Sequence, residues 1–200
     1  DLTCFDYMFS ECTKLTNIDG LKYLDTKSCQ NFTFMFYKCI GLKSLKFLKN
    51  WDVSNATDFS SMFSECSGLT DIKDLENWNV SKGTTFSSMF HGCKGLKDIN
   101  GLEKWNVSNC SYFTHMFSRC SSLKNIKPLE KWNVSNGYNF SYMFYDCSSL
   151  MDINGLENWH FTNDIRFQKA PASCDFRIND FSYMFANCFA LTDISPIKCW

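Results

Sequence analysis

The pair Met-Phe recurs at Met8, Met35, Met62, Met89, Met116 and Met143, each 27 residues after the last, and again at Met184, 41 further on. No other feature constrains the fold as tightly. One 27-residue copy cannot bury an apolar face by itself, so a fixed apolar set at a fixed period requires copies stacked on one another. Counting from each Met, position −3 is always Phe, +4 always Cys and +7 always Leu. Position +16 is Trp in every copy but the first, which has Leu24, and +18 is Val in four consecutive copies from Val53 to Val134.

The longer interval contains "FQKAPASC", which aligns with "FSSMFSEC": Phe167 for Phe, Ala170-Pro171 for Met-Phe and Cys174 for Cys. This predicts one domain over 1–200, about seven repeats with a shortened, degenerate repeat at about 161–181, and an irregularity there. Within a copy, "FSSMFSEC" spaces its apolar residues by 3, 1 and 3, which predicts a short helical turn. The following "LTDIKDLENWNVS" has apolar residues at every third position and then alternation, which predicts short strands and tight turns. The expected fold class is an α/β repeat.

CxxLxxIxxLxxWxVSxxxxFxxMF resembles the BspA-like (bacterial-surface-protein-A-like) leucine-rich repeats, in particular the type of mycoplasma surface lipoproteins. "LKNWDVSNATDFSSMFSEC", Leu48 to Cys66, carries the likeness most fully. The sequence departs from that pattern in having Phe where Met is usual at −3, Asn for Asp after Trp in three copies, and four cysteines outside the repeat column. The resemblance implies a leucine-rich-repeat-like solenoid displayed outside the cell, with no catalytic residues to carry over.

Twelve cysteines raise metal and disulfide chemistry. There is no CxxC pair, and His91, His115 and His160 fall at different repeat positions, so neither a metal site nor a cofactor is expected. Eight cysteines share the +4 column. Their Cβ atoms would stand about 4.8 Å apart, beyond the roughly 3.8 Å that a disulfide prefers, so a buried ladder of thiols is expected. Of the other four, Cys4 and Cys29 sit in adjacent copies and form the candidate disulfide.

Seven Asn-X-Ser/Thr sequons make Asn31, Asn55, Asn79, Asn106, Asn109, Asn133 and Asn139 glycosylation candidates in a eukaryotic secreted protein. In "WNVS" an extended backbone would send Trp78 and Val80 inward and Asn79 outward. A polar column at +9, of Asn17, Ser44, Asp71, Asp98, Asn125, Asp152 and Asp193, is a possible binding face for a sugar or cation; the ordinary reading is a solvated edge.

A net charge of −1, with acids and bases interspersed, gives no polybasic patch for nucleic acid or anionic lipid, so neither a nucleic acid nor another electrostatic partner is expected. No apolar run approaches the roughly 18 residues of a membrane span. No Ser/His/Asp grouping, phosphate loop or carboxylate pair stands apart from the repeat, so the expectation is a protein that is not an enzyme. The leading expectation is an extracellular or cell-surface structural or adhesive repeat protein. The alternative is a receptor-like module binding a protein or glycan on one face. Because Asp1 lies at position +20 and Trp200 at +16, joining end to start omits only three positions, which predicts head-to-tail stacking as a homo-oligomeric filament or continuation in a longer array.

Overall fold

The computed structural model describes residues 4–161 and 179–200. Parallel bridges join position −4 of each coil to the same position of the next: Cys4 to Asn31, Asn31 to Asp58, Asp58 to Thr85, Thr85 to Tyr112, Tyr112 to Asn139 and Asn139 to Asp180. The last pair spans 41 residues, yet the columns continue in register, with Phe144 stacked on Phe185 at 5.7 Å. Most of the shortened copy lies outside the described residues.

The segment expected to be a helical turn is built differently. Alternate N–H groups divide between two kinds of partner. Those of Phe59, Ser61, Phe63 and Glu65 donate to Thr85, Ser87, Met89 and His91 of the next coil at 2.6–3.2 Å. Those of Met62, Ser64 and Cys66 close overlapping turns onto Phe59, Ser61 and Phe63. The residues at −1 and +3 carry positive φ in every described copy, for example Ser61 at 56° and Glu65 at 60°. A type II turn needs that conformation at its third residue, and a non-glycine residue there costs roughly 1–2 kcal/mol. The same two residues donate between coils, so stacking offsets the cost. Helical geometry would return every N–H to its own segment and leave none for the neighbour.

Regular strands are also absent among the described residues, where pairing is reduced to single bridges. Below the apolar +10 residue the chain makes short 3-10 turns, among them Lys46–Leu48, Lys73–Leu75 and Lys127–Leu129. In two coils Gly101 and Gly155, with φ of 104° and 108°, replace that turn. A Cβ on Gly101 would stand 2.8 Å from the Cα of Lys73, so the next coil can approach only because the side chain is missing.

The core is a set of columns running along the stack. Phe36, Phe63, Phe90, Phe117 and Phe144 lie face to face at 5.5–5.7 Å and 3–6°. Met62, Cys66, Leu69, Ile72 and Leu75 are fully buried, as are their equivalents in the neighbouring coils Phe86–Leu102. Each buried large side chain of this kind contributes about 1.5–3 kcal/mol. A further column of small residues, Cys29, Ala56, Gly83, Cys110 and Gly137, lies at −6. A Cβ on Gly137 would press into the ring of Phe140, which explains the demand for small side chains.

Candidate functional surface

The groups that bear chemistry sort by column. In the +4 column the thiols of Cys66, Cys93, Cys120 and Cys147 each donate to the carbonyl of the Phe thirty residues earlier, at 3.1–3.2 Å. Burial pushes the Cys39 thiol up to about 11 and also raises those of Cys66, Cys93 and Cys120 well above the ordinary value, which disfavours the thiolate. Cys4 and Cys29 are free thiols, and the bond expected between them is not formed. Cys29 instead fills its place in the small-residue column and directs its thiol to the Asn31 carbonyl at 3.1 Å. Cys174 lies outside the described residues.

The sequon asparagines fall into three environments. Asn79, Asn106 and Asn133 are exposed, and their amide oxygens accept the N–H two residues on at 3.1–3.2 Å. Asn55 and Asn109 use their amide nitrogens to bond the Lys27 and Ser81 carbonyls of the preceding coil at 2.8 and 2.7 Å. Asn31 and Asn139 sit at the half-buried bridge positions, with their side-chain oxygens turned to Thr33 and Ser141. A bonded amide nitrogen at Asn55 and Asn109, and half-burial at Asn31 and Asn139, set these four apart from the first three.

At +9, the side chains of Asp98, Asp152 and Asp193 each accept the N–H two residues on, at 2.8–3.1 Å. They cap the chain's entry into the following turn. Asp71 and Asn125 occupy the same half-buried column.

Positions −1 and +2 share another face. Tyr7 stacks on Phe34 at 4.9 Å; His115, Tyr142 and Tyr183 form a second stack at 4.6 and 4.8 Å, and small serines, Ser61 and Ser88, separate the two. The stacked rings cover each other's faces and present edges to solvent. Beside them His91 Nε2 stands 3.4 Å from Glu65 Oε1, with His115 edge-on at 5.9 Å. The Nδ1 atoms of His91 and His115 and the fully buried Ser118 Oγ have no hydrogen-bond partner among the described residues. Burial holds both imidazoles below the ordinary histidine value; Glu65 partly opposes this at His91. No group of three metal-ligating side chains occurs among the described residues.

The family model described as "Mycoplasma protein of unknown function, DUF285" matches residues 3–101 and again residues 73–177. The chain belongs to the DUF285 family. No curated protein matches it. Among solved structures, the DUF285 chain is similar to a leucine-rich repeat protein from Bacteroides ovatus ATCC 8483, with 14% identity over 97% of this chain and 70% of that one, at a TM-score of 0.24. In the DUF285 chain no described helix is long and apolar enough to cross a membrane.

Proposed function

We propose that the chain is a non-enzymatic structural or adhesive repeat protein of the cell surface or extracellular space, its stacked coils forming a BspA-like, leucine-rich-repeat-like solenoid that continues end to end. The supporting observation is directional. Along the ribbon from −3 to +3 each coil donates backbone N–H groups to the next and accepts from the one before, while at −5 and +8 the donation runs the other way, as from Thr84 to Thr57 and from Lys97 to Thr70. Among the described residues, the N–H groups of Phe181, Tyr183, Phe185 and Asn187 have no backbone partner at one end, nor do the carbonyls of Cys4, Asp6, Met8 and Ser10 at the other. Tyr7, 56% exposed, and Tyr183, 61% exposed, are the matching rings of those two surfaces. Donors thus face acceptors, and Tyr183, Phe185 and Phe181 would meet Tyr7, Phe9 and Phe5 in the geometry that every internal junction uses. A coil from another copy would complete those bonds through a heterologous contact that leaves the stack open-ended, and further repeats of one longer array would complete them within a single chain.

Sedimentation of the 200-residue chain at rising concentration tests this. Association that grows with concentration and is abolished by Phe185→Asp supports stacking between copies; a monomer at every concentration refutes it. Surface display is tested separately, by protease treatment of intact source cells. The alternative, a receptor-like module, draws on a different face.

A further inference from the structure

Lysines scattered in the sequence are gathered by the fold. Positions +8 and +11 lie on either side of the +9 cap, outside the apolar +7 and +10 columns. Lys43, Lys46, Lys73, Lys97, Lys124 and Lys127 occupy them over four consecutive coils, and all are exposed. The +8 positions follow one another directly along the stack: the N–H of Lys97 donates to the Thr70 carbonyl at 3.2 Å, that of Lys124 to Lys97 at 3.4 Å, and that of Met151 to Lys124 at 3.1 Å. None of the six lysines is in an ion pair among the described residues. Of the acids between the columns, Asp98 has a carboxylate oxygen taken by its own turn. Three residues beyond +11 runs an acidic column, Glu76, Glu103, Glu130 and Glu157, of which Glu103 and Glu157 fold back onto the Gly101 and Gly155 N–H groups at 2.6 Å.

We infer that this stripe binds a linear acidic polysaccharide, laid along the stacking axis with its sulfate or carboxylate groups against the lysine columns. Rungs about 4.8 Å apart offer positive charge at intervals suited to an extended, regularly charged chain. That acidic column borders the stripe, with Glu76 paired to Lys104 at 3.6 Å. The rungs follow one another in a line along the stack, which matches a linear chain rather than the breadth of a flat anionic membrane or a double helix. Single-stranded nucleic acid binds where aromatic faces are open for bases to stack, but the Tyr142 and His115 rings lie at a different repeat position and are covered by each other. The lysines are ammonium point charges, suited to charge attraction with little demand on geometry, and Ser67, Ser121 and Ser148 at +5 add hydroxyl groups alongside. The inference deepens the adhesive reading and rests on it for its setting, while its test uses the purified chain alone.

Retention on immobilised heparin, hyaluronate and neutral dextran, with a single-stranded oligonucleotide and vesicles containing anionic lipid as competitors, is the experiment. Retention on heparin or hyaluronate but not dextran is expected, with salt eluting the chain because the contacts are exposed and screened. The source of the anion follows from which column holds it. Lys97→Glu/Lys124→Glu should weaken binding by about tenfold or more, because two consecutive rungs turn from attractive to repulsive. Lys82→Glu, whose Nζ bonds the Asn55 side chain in another column, should leave it within about twofold, as a distant surface charge does. No retention, equal loss from Lys82→Glu, or stronger binding of the oligonucleotide or vesicles would overturn the inference. Association of copies is measured separately, so failure of one leaves the other standing.

Discussion

The indole N–H of Trp78 donates to the carbonyl of Leu48, thirty residues earlier and one coil away, at 2.9 Å. The same oxygen accepts the backbone N–H of Trp51 at 3.0 Å, so a single carbonyl closes its own turn and holds the next coil. The arrangement repeats from Trp51 on Leu21 to Trp159 on Leu129. It explains why Trp, rather than any large apolar residue, occupies +16. Trp78→Phe keeps a ring in the column but removes the donor, and should lower stability by about 2 kcal/mol, from a lost hydrogen bond and lost apolar area. Urea unfolding measures this; an unchanged midpoint would mean that the bond contributes nothing.

Phe90 is fully buried between Phe63 and Phe117, each at 5.7 Å. Phe90→Ala should cost about 3–5 kcal/mol. Phe9 is partly buried and has one such neighbour, Phe36 at 5.5 Å, so Phe9→Ala should cost roughly half as much. Calorimetry on both variants decides it, and equal costs would show that the column does not act as a continuous stack.

Thiol chemistry should follow burial. At pH 8 an alkylating reagent should modify Cys4, Cys12 and Cys199, which are exposed, while Cys39, pushed up to about 11, and Cys110, pushed up to about 12, stay unmodified until the chain unfolds. Mass spectrometry of labelled peptides reads the order. Missing label at Cys4 and Cys29 in unreduced, denatured protein would show that the disulfide forms after all.

Acid should loosen the coils around His91 and His115. Both imidazoles bind protons less readily in the folded chain than at the ordinary value of 6.5, chiefly because they are buried, with Arg119 adding to the effect. Their contribution to stability is therefore full above about 6.5 and is lost as pH falls through that value toward the lower folded one. Melting curves at pH 7.5 and 5.5 should differ less for His115→Tyr, which supplies the ring that Tyr142 and Tyr183 already place in this column. An identical acid-induced drop in the variant would rule the pair out as its source.

The period, the identity of the buried columns and their order were legible in the sequence, because every copy must present the same side chains to its neighbours, and burial leaves a spelling that repetition makes visible. The −6 column escaped that reading: Cys29, Ala56, Gly83, Cys110 and Gly137 share only small size, and the rings of Phe86 and Phe140 that demand it come close only once the coil is closed. Spacings of 3, 1 and 3 suit a helical turn and a ribbon of overlapping turns equally well. Inter-coil hydrogen bonding selects the ribbon, since it requires positive φ at residues such as Ser61 and Glu65 whose side chains do not announce it. Charge was equally hidden. Along the sequence Lys97 and Lys124 are separated by 26 residues of mixed sign, and only stacking makes them consecutive rungs, so sequence composition sets the net charge of −1 while the tertiary structure decides where that charge is felt.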